Sequence, residues 1–243
     1  MLALVERAVR ETPRALVILD LDSTLYNTSL RTHAIVREWA RANHGELPSP
    51  LIDAVHRLDS VAPTYSMRDL FTALGLDLSR PEVASACDQA KDFWKNRFFS
   101  DAYVPHDTAY PGAAEFVTGL HRQGARIVYL TGRDAPGMER GTRETLVRDG
   151  FPVDHGILLL MKAAREGDDL EHKLDSVRGL PREGTVVASF ENEPRNLVGI
   201  AEIFPQAIHV FVETVCSDAP APAWQGLYRI RRFPSARYGS VKE

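Results

Sequence analysis

Ala15-Leu16-Val17-Ile18-Leu19-Asp20-Leu21-Asp22-Ser23-Thr24-Leu25-Tyr26-Asn27-Thr28 is the stretch that decides the fold. Its first five residues form an uninterrupted apolar run, the pattern of a strand buried on both faces. Two carboxylates then emerge where that strand ends. Residues two apart in extended chain project from the same side and lie roughly 6 to 7 Å apart along the backbone, so Asp20 and Asp22 can face one ligand. The residues alone leave two readings. In one, Asp22, Ser23 and Thr24 make local side-chain to backbone bonds in a strand-to-loop turn. In the other, the pair works with a metal, one carboxylate as nucleophile and one as acid and base. A phosphate clamp and further metal ligands elsewhere in the chain would separate the two.

Downstream of Pro111-Gly112 helices alternate with apolar strands, which predicts a parallel sheet built from β-α units. Ala113, Phe116, Val117 and Leu120 mark one face of a helix closed by Gly124. Residues 126–130 read as a buried strand that runs into Thr131-Gly132-Arg133-Asp134. A helix over about 138–149 follows, with Gly150 as its C-terminal cap. Further strands are expected at 156–160, 185–190 and 207–212. The expected fold class is α/β: a doubly wound, Rossmann-like parallel sheet of five strands, in which ligands gather at the carboxyl ends of the strands. Leu2, Val5, Ala8 and Val9 predict a short helix before the first strand, ended by Pro13.

From Ser29 to Phe99 apolar residues recur at helical spacing, among them Ile35, Val36 and Trp39, then Leu51 and Val55, then Leu70 and Phe71, then Val83, Cys87 and Trp94. Pro48-Ser49-Pro50, Gly75-Leu76 and Ser79-Arg80-Pro81 punctuate them. This predicts an all-helical insert of about four helices, and divides the chain into a core of residues 1–28 and 108–243 and an insert of 29–107. The tail Leu227-Tyr228-Arg229-Ile230-Arg231-Arg232-Phe233 reads as a short solvated edge strand, the alternative being a basic run with aromatics that meets a phosphate backbone.

A net charge of −4 and a pI near 6.1 give no global attraction to nucleic acid or to an anionic membrane. No stretch approaches the roughly 20 apolar residues of a membrane span, and residues 1–11 are amphipathic, unlike a signal peptide. Cys87 and Cys216 lie far apart and outside metal-ligand spacing, so the expected home is a reducing cytoplasm.

The pattern Asp20-x-Asp22-x-Thr24 after an apolar strand resembles the first motif of the haloacid dehalogenase superfamily, whose members are mostly Mg-dependent phosphatases. The resemblance implies that Asp20 attacks phosphorus, that Asp22 is the general acid and base, and that Thr24 supports the turn. Thr131-Gly132 is similar to the second motif, which implies that Thr131, with Gly132 letting a ligand approach the backbone, holds a phosphoryl oxygen. Arg133 either contacts substrate or forms a salt bridge. Lys173 falls where the third motif lies and is the expected cation that offsets charge on phosphorus, with Lys162 also in the region. In the fourth motif two acids are usual, whereas here the run is Phe190-Glu191-Asn192-Glu193-Pro194-Arg195-Asn196. The expected Mg²⁺ ligands are Asp20, the main-chain carbonyl of Asp22 and Glu191, with Asn192 and Asn196 as neutral neighbours. Helices inserted directly after the first motif resemble the superfamily's helical cap. The implied activity is hydrolysis of a small phosphorylated metabolite through an aspartyl phosphate. Gly150-Phe151-Pro152, Leu158-Leu159-Leu160-Met161-Lys162, Gly167-Asp168-Asp169 and Lys173 also resemble the phosphatase domain of polynucleotide kinase-phosphatases, which implies the alternative of a nucleic-acid 3′-phosphatase. A further alternative is an inactive binding protein on the same fold.

Overall fold

The computed structural model describes residues 2–219 and 227–234, so residue 1 and residues 220–226 and 235–243 of the expected core lie outside the described residues. In chain order, α1 (Leu2–Glu11) leads to β1 (Ala15–Leu19) and a short β2 (Tyr26–Asn27). Then come four helices, α2 (Ser29–Ala42), α3 (Ser49–Val55), α4 (Met67–Ala73) and α5 (Pro81–Phe98), and a short β3 (Thr108–Ala109). Helix and strand alternate thereafter: α6 (Ala113–Arg122), β4 (Arg126–Asp134), α7 (Ala135–Arg148), β5 (Leu158–Lys162), α8 (Asp169–Arg178), β6 (Thr185–Glu191), α9 (Pro194–Ile203), β7 (Ile208–Val212) and β8 (Leu227–Ile230).

Alternation along β1 divides the core into two layers. Ala15, Val17 and Leu19 pack with Val5 and Val9 of α1, Phe116, Val117 and Leu120 of α6, and Leu146 of α7. Leu16 and Ile18 face the other way, against Val177 of α8 and Ile200 of α9. Every residue of β1 is therefore buried, as a strand covered on both faces requires. The helical insert has a core of its own, with Trp39, Leu51, Leu58, Phe71, Val83 and Cys87 at its centre. Its two flanking strands close on each other, β2 pairing antiparallel with β3 through Tyr26↔Ala109 and Asn27↔Thr108.

The main sheet is parallel, in the order β5-β4-β1-β6-β7-β8. From β1 the chain fills one side of the sheet through β4 and β5, then crosses back to β6 and fills the other. Order therefore reverses beside β1, where a crevice forms at the carboxyl edge. The sheet has six strands rather than the expected five. The sixth is the basic tail segment, β8, paired with β7 through Val210↔Tyr228 and Val212↔Ile230. It is an edge strand, but Ile230 and the following Phe233 are buried, so its apolar residues close the core while its arginines face outward. β4 runs on through Thr131-Gly132-Arg133-Asp134, which stays extended instead of turning. β5 begins later than expected because Asp154 accepts the Gly156 N–H (2.9 Å) in a turn, and it ends on Lys162. Among the described residues no helix is long and apolar enough to cross a membrane.

Gly112, at the N-terminus of α6, has φ +82°, and a Cβ there would stand 2.2 Å from the Pro234 carbonyl oxygen. Gly112→Ala is expected to cost at least about 1 kcal/mol, since both the left-handed backbone and the contact penalise a side chain. Urea denaturation reads this as a lower midpoint with an unchanged slope.

Candidate active site

β1 delivers Asp20 to the carboxyl edge, where its N–H donates to the Phe190 carbonyl of β6 at 3.1 Å. Leu19 pairs with Phe190, so Asp20 stands beside Glu191, the last residue of β6. Lys173 reaches in from α8 and donates to Asp20 Oδ1 and Glu191 Oε2, both at 2.6 Å. All three side chains are buried. One ammonium thus faces two carboxylates, and the trio is one positive charge short when fully ionised.

The ionisation behaviour follows from that shortage. Burial pushes the Asp20 carboxyl up against the pull of Lys173. Burial and the charge of Asp20 together push Glu191 up to about 7. Burial alone would lower Lys173, but Asp20 and Glu191 outweigh it and hold the ammonium firmly protonated.

Beyond Asp20 the chain turns tightly. The N–H groups of Thr24, Leu25 and Tyr26 all donate to the Leu21 carbonyl, at 3.2, 2.9 and 2.9 Å, and Ser23 takes φ +61°. This turn leaves Asp22 facing two guanidinium groups. Arg133 Nε lies 3.1 and 3.2 Å from its two oxygens, and Arg31 Nη2 lies 3.1 Å from Oδ1. Burial would raise this carboxyl, but Arg133 and then Arg31 outweigh it and hold it well below the usual carboxylate range. Of the two roles the sequence left open for Arg133, an ion pair is the one present.

Thr131 is fully buried on β4, two residues beyond the Leu19↔Tyr129 pair, at the same edge of the sheet as Asp20. Its hydroxyl accepts from the Arg133 N–H at 3.3 Å. On the opposite side of the extended backbone, a Cβ on Gly132 would stand 2.7 Å from Asp169 Oδ2, so the missing side chain leaves room for the Asp169 carboxylate. Lys162 does not join Asp20. It donates to the carbonyls of Arg165 (3.1 Å) and Gly167 (2.7 Å) and to Asp169 Oδ1 (2.9 Å), holding the loop before α8.

Thr24 Oγ1 donates to Asn192 Oδ1 (2.9 Å) and accepts from the Asn192 N–H (3.1 Å), while Asn192 Nδ2 donates to the Val215 carbonyl (2.6 Å). The Asn192 side chain is therefore committed to tying three loops together. Asn196 is buried in the first turn of α9. Glu193 accepts from the Ser217 N–H at 3.1 Å.

A family model for haloacid dehalogenase-like hydrolases matches residues 15–187, well over half the chain. The chain belongs to the haloacid dehalogenase-like hydrolases. No curated protein matches it. Among solved structures, Protein Tyrosine Kinase A (PtkA) of Mycobacterium tuberculosis is 19% identical, with a TM-score of 0.50, covering 93% of this chain and 96% of that one. A HAD-superfamily hydrolase of subfamily IA, variant 1, from Geobacter sulfurreducens PCA is 15% identical, with a TM-score of 0.50 and coverage of 90% and 92%. At such identities the likeness is one of fold.

Sequence reasoning missed two charged residues packed behind Asp22 at this candidate site, Arg31 and Asp107. Arg31 sits in the first turn of an amphipathic helix, where an arginine reads as solvated, yet it is fully buried. Asp107 lies in an irregular segment with no motif around it and is buried as well. The one available signal was opposite charge at the two ends of the insert.

Proposed function

We propose that this hydrolase is a Mg²⁺-dependent phosphomonoesterase that works through an aspartyl phosphate on Asp20 and acts on a small phosphorylated metabolite. The observation that carries the reading is the buried trio in which Lys173 bridges Asp20 and Glu191 at the carboxyl edge of the sheet. Residues 29–107 serve as a cap that covers this edge and sets the leaving group.

The donor set fits a hard divalent cation. Two buried carboxylates share one ammonium, and burial raises the proton affinity of both, so the group lacks positive charge. Asp20, the Asp22 carbonyl and Glu191 would hold Mg²⁺, which when bound neutralises phosphoryl oxygens and the charge of the nucleophile.

An Asp20 carboxylate oxygen attacks phosphorus, and the bond from phosphorus to the leaving oxygen breaks. That oxygen takes a proton from Asp22. Thr131 and Lys173 hold phosphoryl oxygens as charge develops. Water then attacks phosphorus, the bond to Asp20 breaks, and Asp22 recovers the proton. In the substrate-free site Asp22 is ionised; it takes a proton from solvent as the substrate binds, because the phosphate dianion raises the proton affinity of a neighbouring carboxylate.

Phosphate release from 4-nitrophenyl phosphate, present with Mg²⁺ and lost with a chelator, is the expected result. A panel of sugar and nucleotide phosphates beside a 3′-phosphorylated oligonucleotide should show turnover of the small esters and none of the oligonucleotide. No release from any of them would leave a binding protein.

Stability should report the same charge shortage. Glu191 keeps its proton in the folded chain up to about pH 7, whereas unfolded chain gives it up near 4.5. The folded form binds more protons in that window, so this group's contribution to stability falls as pH rises through it. Mg²⁺ favours the ionised form, so it should raise Tm more at pH 8 than at pH 5.5. An equal rise at both would contradict the assignment of Glu191.

A further inference from the structure

Behind Asp22 lies a second cluster of buried charge, separate from the Lys173 trio. Asp107 Oδ1 accepts from Arg31 Nε at 2.8 Å, and its Oδ2 accepts from Arg133 Nη2 at 2.7 Å and from Arg31 Nη2. Arg133 Nη1 donates to Thr142 Oγ1 at 3.1 Å. Arg31 Nη1 donates to the Phe98 carbonyl at 3.2 Å, and its guanidinium lies 4.2 Å over the Phe98 ring. Two arginines and two aspartates balance in charge.

Two features set this cluster apart from a merely structural ion group. The side chains of Arg31, Asp107 and Arg133 are 0–1% exposed, whereas that of Asp22 is 32% exposed, so one carboxylate is gripped from behind and open in front. The grip also draws on both ends of the helical insert. Arg31 is in the first turn of α2, Asp107 precedes β3 and Phe98 ends α5, while Arg133 belongs to the sheet. A hinge could be packed with apolar side chains at less desolvation cost. Here it is built on the acid two residues from the candidate nucleophile.

We propose that Arg31, Asp107 and Arg133 are positioning residues that aim the Asp22 carboxylate, and that they make its placement depend on the seating of the helical insert. The proposal rests on the reading of Asp22 as the group that passes the proton. Asp107 touches no substrate and acts through the two arginines. Arg133 fixes the carboxylate from the sheet, and Arg31 adds the insert's contact only when the first turn of α2 lies beside Asp22 and Asp107. Seating of the insert and correct aim of the acid thereby become one event, which ties proton delivery to a covered site.

The test uses two aryl phosphates with Mg²⁺: 4-nitrophenyl phosphate, whose leaving phenol departs readily without a proton, and phenyl phosphate, whose leaving phenol depends on one. Asp22→Asn should lose about 100-fold in kcat/KM, which reports phosphoryl transfer to Asp20 and not the hydrolysis shared by both esters, on phenyl phosphate and much less on the nitrophenyl ester. Asp107→Asn, which keeps size and removes the charge between the arginines, should lose about 10-fold on phenyl phosphate and several-fold less on the other, with KM within about twofold on both. Added to Asp22→Asn, Asp107→Asn should cost less than about twofold more, because its effect passes through the missing carboxylate. Equal losses on both esters, or a loss as large in the Asp22→Asn background as in the native protein, would overturn the proposal. Should Asp107→Asn fail to fold, Thr142→Val withdraws one bond from Arg133 without altering charge and should give the same leaving-group pattern at about two- to threefold. Asp22→Asn with no preference between esters would instead remove the proton-transfer reading, and inert native protein the hydrolase reading. Either takes this proposal with it.

Discussion

Asp20→Asn is expected to abolish phosphate release, a fall in kcat on the order of 10⁴-fold or more, while leaving the folded protein at least as stable as before. The two halves have one cause. An amide does not form the acyl phosphate bond on which the proposed mechanism depends. The same change removes one of the two carboxylates that share the Lys173 ammonium, and with it one of the two influences that raise Glu191. What remains is a balanced Lys173–Glu191 pair. Thermal melts without Mg²⁺ at pH 8 should show an equal or higher Tm, the pattern of a site that trades stability for function. Turnover within tenfold of native would refute the assignment of Asp20. A large fall in Tm would show that the trio is not short of positive charge.

Lys173→Met should act in the opposite sense. It leaves two buried carboxylates with no cation between them, and breaking a buried pair by removing one partner costs about 3–5 kcal/mol. Both carboxyls are already raised by burial, and loss of Lys173 raises them further. The deficit therefore grows with rising pH and shrinks in acid as they take up protons. Urea unfolding at pH 5 and pH 8 should give the larger loss at pH 8, and Mg²⁺ should restore part of it. A loss independent of pH would mean that Lys173 contributes packing rather than charge.

The parallel sheet was legible because buried strands carry unbroken apolar runs: Ala15–Leu19 could be little else. Strand ends were less so. In β4 a threonine, a glycine and an arginine resemble a turn, yet they stay extended, because alternation lets Thr131 and Arg133 go inward while Gly132 admits Asp169. Lys162 looked like the residue past a strand, but its ammonium finds loop carbonyls and lets the strand include it. Asp20 and Glu191 could be read from their places at strand ends, and Lys173 from a motif. The grip on Asp22 could not. Arg31 and Asp107 are 76 residues apart, and Arg133 and Asp22 are 111 apart. No local pattern marks an arginine whose partner lies that far along the chain.

Phe233, three residues past the last strand, packs its ring 5.6 Å from that of Phe116 and 6.2 Å from that of Phe190. Phe190 in turn supplies the carbonyl that receives the Asp20 N–H. The C-terminal segment is thus a wedge under the strand that borders the proposed nucleophile, and a protease cut or stop codon ahead of Leu227 is expected to loosen that edge of the sheet from behind.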